Sequence, residues 1–91
     1  EIENFKLYQN FPNPFNSSTN ISFNLSKSSE IEISVYDING RHIEHIISGH
    51  FNTGNHNVNW DAKNFPSGTC YIQLTIGNQQ QIIKSVLLKS V

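Results

Sequence analysis

Residues 30–41 read "EIEISVYDINGR". Ile31, Ile33 and Val35 alternate with Glu30, Glu32 and Ser34, the period-two pattern of a strand with one buried face. Asp37-Ile38-Asn39-Gly40 breaks the alternation. Asn-Gly tolerates the positive φ angles of a tight reversal, so the stretch predicts a type I′ hairpin into a return strand from Arg41 to Ile47. The adjacent Ile46 and Ile47 disturb the phase of that return strand and predict a bulge.

Outward from this hairpin the same period recurs. Thr19 to Leu25 places Ile21, Phe23 and Leu25 inward. Gly54 to Asp61 places His56, Val58 and Trp60 on one face, and Thr69 to Ile76 does so with Cys70, Ile72, Leu74 and Ile76. Phe5 to Asn10 predicts a short first edge strand. Gln81 to Lys89 predicts a last strand whose Ile82-Ile83 and Val86-Leu87-Leu88 suit burial on both faces or a site still to be covered. The 91 residues hold twelve Ile, six Phe and four Val but one Ala and no Met, which favours strands over helices. Seven strands separated by turn signals predict an all-β, antiparallel sandwich of immunoglobulin or fibronectin type, over residues 5–91. Residues 1–4 read as the end of a linker. The missing Met leads us to expect a processed or excised piece of a longer product.

"FPNPFN", residues 11–16, fits no helix or central strand. Pro12 and Pro14 fix two φ angles and remove two donors, and each pushes its predecessor to extended geometry. The expectation is a rigid corner outside the ladder, with Asn13 and Asn16 closing Asx turns and with Phe11 and Phe15 plugging one end of the core.

A formal net charge of −1 with six scattered basic residues lacks the footprint of a nucleic-acid or anionic-membrane binder. No apolar run is long enough for a membrane helix. A single cysteine, Cys70, forms no intrachain disulfide and reads as a buried, inert thiol. His42 and His45 point to opposite faces of a strand and cannot chelate together without a bulge; His50 sits in a turn and His56 at the core's rim. Asp37 and Asn39 supply part of a calcium loop, but the remaining ligand positions are missing and a hairpin turn explains them. Glu30 and Glu32 share a face with no sign of a cleft, which argues against paired-carboxylate catalysis. Tyr8, Tyr36 and Tyr71, with the polar Asn faces, could be sugar platforms, but aromatics in a sandwich are more often core or cross-strand packing. No catalytic, cofactor-binding or metal-binding residue is assigned, and the chain is not expected to be an enzyme.

Taken in order, "FPNPFN", "TNISFNL", "VYDINGR", "NTGNHNVNWDAKNFPSG" and "KSVLLK" closely resemble the C-terminal sorting domain of the type IX secretion system, type A, a family also described with a FlgD-like immunoglobulin-like fold. The resemblance spans roughly residues 7–90. Pro12, Asn13, Pro14, Phe15 and Asn16 match its opening motif. Tyr36, Asp37, Gly40 and Arg41 match the central hairpin. Trp60 and Asp61 match the next strand, Pro66, Ser67 and Gly68 the following loop, and Lys84 to Lys89 the terminal signal strand. The family commonly carries Pro where Ser17 stands and an aromatic where Cys70 stands.

The resemblance implies a non-catalytic address on a larger cargo protein of a Gram-negative bacterium. The cargo would pass through the periplasm, be read by the outer-membrane secretion translocon, and reach the cell surface or exterior. A sortase-like peptidase would then usually remove the domain, cutting in or before residues 1–4. Lys84, Val86, Leu87, Leu88 and Lys89 are the expected recognition residues, through strand addition or a groove. The alternative is a carbohydrate-binding or structural accessory module of a secreted enzyme.

Overall fold

The alternating stretch that opens at Glu30 becomes the central pairing partner of the larger of two sheets. The computed structural model describes residues 5–89, so the expected linker at 1–4 lies outside the described residues. In chain order the strands are β1 (Phe5–Leu7), β2 (Ser18–Leu25), β3 (Ser29–Asp37), β4 (His42–Phe51), β5 (Gly54–Asp61), β6 (Gly68–Ile76) and β7 (Gln79–Leu87). One sheet has the order β1-β2-β5 and the other β4-β3-β6-β7, with every strand pair antiparallel. This is the expected all-β architecture, compatible with an immunoglobulin-like sandwich. The fourth strand joins the third in the larger sheet, as in fibronectin-type modules, instead of extending the first sheet.

The core forms between the two inward faces. Ile21, Phe23, Leu25, Ile31, Ile33, Val35, Trp60, Cys70, Ile72 and Leu74 are buried, each in the phase read from the sequence. Phe5, Leu7, Phe15, Ala62 and Leu87 complete the cluster. His56, Val58 and Ile76 are half-buried at its rim, and His56 packs between Phe23 and Phe51.

The bulge expected at Ile46-Ile47 is present: Ile33 pairs Ile47 while Ser34 pairs His45, leaving Ile46 extra. A second slip leaves Ile43 unpaired, because Val35 pairs Glu44 and Tyr36 pairs His42. Both isoleucines thereby turn toward the core and pack at its edge.

The hairpin differs from the expected type I′. Asp37 O accepts from Gly40 N, Asp37 N donates to Arg41 O, and only Gly40 of the turn has a positive φ. That is a type I turn closed by a glycine bulge, the usual three-residue hairpin. The Asp37 carboxylate favours it by accepting from Asn39 N and Arg41 N, both at 2.9 Å.

The family's common Pro at position 17 would make a third proline in the corner. Ser17 instead has φ 72°, a value closed to proline, and its carbonyl accepts from Ala62 N. Cys70 borders a partly open pocket of about 210 Å³ that Ile43, Trp60, Phe65 and Leu87 also line. Burial pushes the Cys70 thiol up. The facing Ser85 hydroxyl tempers that shift, yet it completes no hydrogen bond of normal geometry among the described residues.

Ser17→Gly should raise unfolding stability by about 0.5 kcal/mol, since a side chain in the left-handed region costs roughly 1–2 kcal/mol and glycine's extra chain entropy offsets part of that. Ser17→Pro should lower stability by about 3 kcal/mol. Urea denaturation of the two variants checks both signs; a proline variant as stable as the parent would contradict the left-handed backbone at this position.

Candidate recognition surface

The surface of interest is built where the N-terminal arm meets β7. The arm first pairs with β2: Phe5, Lys6 and Leu7 face Leu25, Asn24 and Phe23. Tyr8 N then donates to Ser22 O, and Phe11 exchanges both backbone hydrogen bonds with Asn20. Beyond Pro12 the arm crosses to the other sheet, where Phe15 pairs with Leu87 in a parallel bridge. The corner is therefore not outside the ladder as expected. It switches sheets, serving one with Phe11 and the other with Phe15. Both prolyl bonds in it are cis.

This switch assigns the two phenylalanines opposite fates. The bridge to Asn20 continues the β1–β2 ladder, and its alternation turns Phe11 outward, 78% exposed. The interior position falls to Asn10, which the sequence reading missed. Its amide donates to Thr19 Oγ1 at 3.0 Å and to Pro12 O at 3.2 Å, so a buried polar side chain is satisfied. Phe15 does plug the core. It packs with its ring centre 5.6 Å from that of Trp60, and Phe65 also packs on Trp60, at 6.2 Å. The Trp60 indole N–H reaches Glu44 of β4 at 2.8 Å, joining the two sheets at their opposite margin.

Asn13 closes no Asx turn; its Oδ1 accepts from Val86 N at 3.0 Å. Gln9 Nε2 donates to Lys84 O at 2.7 Å. Phe15 N donates to Val86 O at 2.9 Å and Phe15 O accepts from Leu88 N at 2.8 Å. Thus Lys84 O, Val86 N, Val86 O and Leu88 N, all on the outer edge of β7, are held by the arm. Further along, the Gln81 side chain imitates a peptide unit toward β1, accepting from Leu7 N at 2.7 Å and donating to Phe5 O at 2.9 Å.

With the edge covered, β7 presents side chains. Ser85 and Leu87 are buried, while Ile82, Lys84 and Leu88 are exposed and Val86 is half-buried. Of the five residues expected to be read, Leu87 points into the core and Lys84, Val86 and Leu88 point out. Lys89 is tied down, its N–H on Ser67 Oγ at 2.9 Å and its ammonium on Lys63 O. Pro66 and Gly68 flank that serine, at the exposed end of the loop before β6. Asp61 accepts from Lys63 N at 3.1 Å and shapes the same corner. Asn16 is exposed and its carbonyl accepts from Ser18 N. Tyr36, Asp37, Gly40 and Arg41 lie apart from the Phe15 bridge, along the outer face of the larger sheet.

The histidines stay apart in function. His45 lies 3.9 Å from Glu32 and His50 3.3 Å from Glu30 on the exposed sheet face, while His42 meets the Tyr36 ring edge-on. Glu30 and Glu32 are thus surface partners of imidazoles.

A family model for the secretion system C-terminal sorting domain matches residues 9–89. The chain belongs to this family, the type IX sorting domains. Comparison with curated proteins and with solved structures found no match. Membership makes the domain a C-terminal secretion signal carried on a cargo protein and bound for the cell surface or exterior. Sorting domains of this kind are in general non-catalytic. No helix among the described residues is long and apolar enough to cross a membrane.

The two phenylalanines of the corner give a direct check. Phe15→Ala should cost about 3–5 kcal/mol of stability, as for a large aromatic removed from a core, whereas Phe11→Ala should stay within about 0.5 kcal/mol. Chemical denaturation of both variants reads the contrast. The hairpin gives another. Hydrogen bonding from Arg41 N holds the Asp37 carboxyl below its ordinary value of 3.8. A depressed folded-state value stabilises above the unfolded value and is lost as pH falls through the lower one. The parent should therefore lose stability below about pH 4, and Asp37→Asn should show a shallower acid limb in urea midpoints measured from pH 7 to pH 2.5.

Proposed function

We propose that the outer-membrane translocon reads this domain through outward side chains of β7 and the two residues that follow it, with Lys84, Val86, Leu88 and Lys89 as the contacts and Leu87 as the anchor that sets their phase. One observation supports the reading above others. The strand's edge from Lys84 to Leu88 is occupied by the arm, yet Leu88 remains 55% exposed. Strand addition along that stretch would have to displace four hydrogen bonds, whereas a groove receiving side chains requires no rearrangement. A receptor that serves many cargoes gains from a target that is rigid before contact, because ordering costs are already met.

In this reading the corner and the last strand form one recognition unit. Asn13 and Phe15 fix the position of Val86 and Leu88, and Ser67 fixes Lys89. Removal by a sortase-like peptidase follows translocation, with cleavage in or before residues 1–4, which lie outside the described residues. The cargo crosses the periplasm before this step.

The test is export of a neutral reporter fused ahead of residues 1–91 in a bacterium that has this secretion system. The intact fusion should reach the surface, and deletion of residues 84–91 should leave it inside. Leu88→Glu combined with Lys84→Glu should cut export at least tenfold while the purified domain keeps its melting temperature. Leu87→Ala should instead lose about 2–5 kcal/mol of stability together with export. Normal export of the Leu88/Lys84 variant would refute the side-chain reading, and normal export without the domain would make it a spacer.

A further inference from the structure

The outer face of the larger sheet holds a second feature, beside the last strand. Tyr36 on β3 and Tyr71 on β6 are direct cross-strand partners, so their rings share one face on adjacent strands about 4.8 Å apart. Gln73 stands two residues from Tyr71 on the same face and pairs across with Ile82 of β7. With the 37–40 hairpin as a wall, these residues line an open groove of about 570 Å³. Its rims are apolar and uncovered: Ile38 is 68% exposed and Ile82 55%.

The polar groups in the groove decide what could lie there. The Asp37 carboxylate is fully engaged, by Asn39 N and Arg41 N on one oxygen and by Arg41 Nε on the other, so it leaves no unbalanced charge. The Tyr36 and Tyr71 hydroxyls have no hydrogen-bond partner among the described residues. Gln73 gives one of its two amide N–H donors to Thr75 Oγ1, and its carbonyl oxygen is left as an acceptor. The groove therefore asks for a ligand with flat apolar faces, no charge, and O–H groups that donate to Gln73 Oε1 and exchange with two phenols. A polyproline segment, which also favours aromatic grooves, offers carbonyl acceptors and no donor for Gln73. A pyranose ring offers both: C–H faces to set against an aromatic ring and hydroxyls around its rim. The edge contact of His42 with Tyr36, 5.4 Å between ring centres, holds one ring in place before any ligand arrives.

We propose that Tyr36, Tyr71 and Gln73 form a binding site for a neutral polysaccharide chain, bordered by Lys84, which pairs across from Tyr71 and is also assigned to sorting. The volume suits a few sugar units, and binding of this kind is weak for a single domain, because the groove is open and encloses little of the ligand.

Affinity electrophoresis of the 91-residue chain in gels containing laminarin, xyloglucan, galactomannan or hydroxyethylcellulose tests this, with polygalacturonate as the charged control. Retardation by at least one neutral polymer is expected. Tyr71→Ala and Tyr36→Ala should each weaken it about tenfold or more, and Gln73→Leu about threefold, with unchanged melting temperatures; Leu88→Glu should leave it intact. Calorimetry with the matching oligosaccharide supplies the binding constant. Failure to be retarded by any neutral polymer overturns the proposal, as does retardation that Tyr71→Ala does not alter. Retardation by polygalacturonate alone also overturns it, by assigning binding to surface charge. Reporter export of the Tyr71→Ala fusion separates the two readings. Export should be normal, and its loss together with absent glycan binding would hand the groove to a protein partner.

Discussion

The structure depends on how one arm closes the open side of the sandwich. A two-sheet fold leaves edges, and an uncovered edge is a row of unpaired donors and acceptors that invites association. Here a single continuous segment serves both sheets. It starts as β1 in the smaller sheet and ends as a parallel bridge on β7 in the larger one. Between these points side-chain amides do what a strand would do: Gln81 completes β1, while Gln9 and Asn13 complete β7. Phe15 then enters the core beside Trp60, coupling edge closure to hydrophobic burial. At the far margin Trp60 and Glu44 link the two sheets in a different way, with one indole hydrogen bond.

The functional surfaces follow from that closure. Covering the edge of β7 leaves its outward side chains as the part available to a partner. The same alternation puts Tyr71 and Gln73 on the outside of β6 by placing Cys70, Ile72 and Leu74 within. The two proposed contacts, for sorting and for glycan, therefore adjoin on one sheet face and meet at Lys84 and Ile82 of β7, which pair with Tyr71 and Gln73 of β6.

Much of this was legible in the sequence, for a physical reason. Wherever burial decides a residue's side, period two reports it, and Ile31, Ile33, Val35, Ile72 and Leu74 all fell where their phase put them. Even the bulge was visible, because Ile46 and Ile47 cannot both face inward in an unbroken strand. What escaped were features set by partners distant in the chain. Phe11 and Phe15 look alike locally; only pairing with Asn20 and Leu87 separates them. Asn10 looked like a surface residue, since nothing in the sequence announces that Thr19 Oγ1 and a proline carbonyl wait to receive it. The unbroken run Val86-Leu87-Leu88 left its own phase open until β6 fixed it. The sequence thus pointed to the last strand as the candidate surface, but which of its atoms are accessible depended on an arm some seventy residues away, as the separation of 73 between Asn13 and Val86 shows.

The Gln81 contact with β1 carries a consequence in time. The first strand to leave the ribosome stays unfinished at its outer margin until nearly the last residues of the domain have been made, because its missing partner is a side chain on β7. A chain that stopped before Gln81 would leave Leu7 N and Phe5 O without this side-chain partner, so the closure of the earliest strand is the last to be supplied during synthesis.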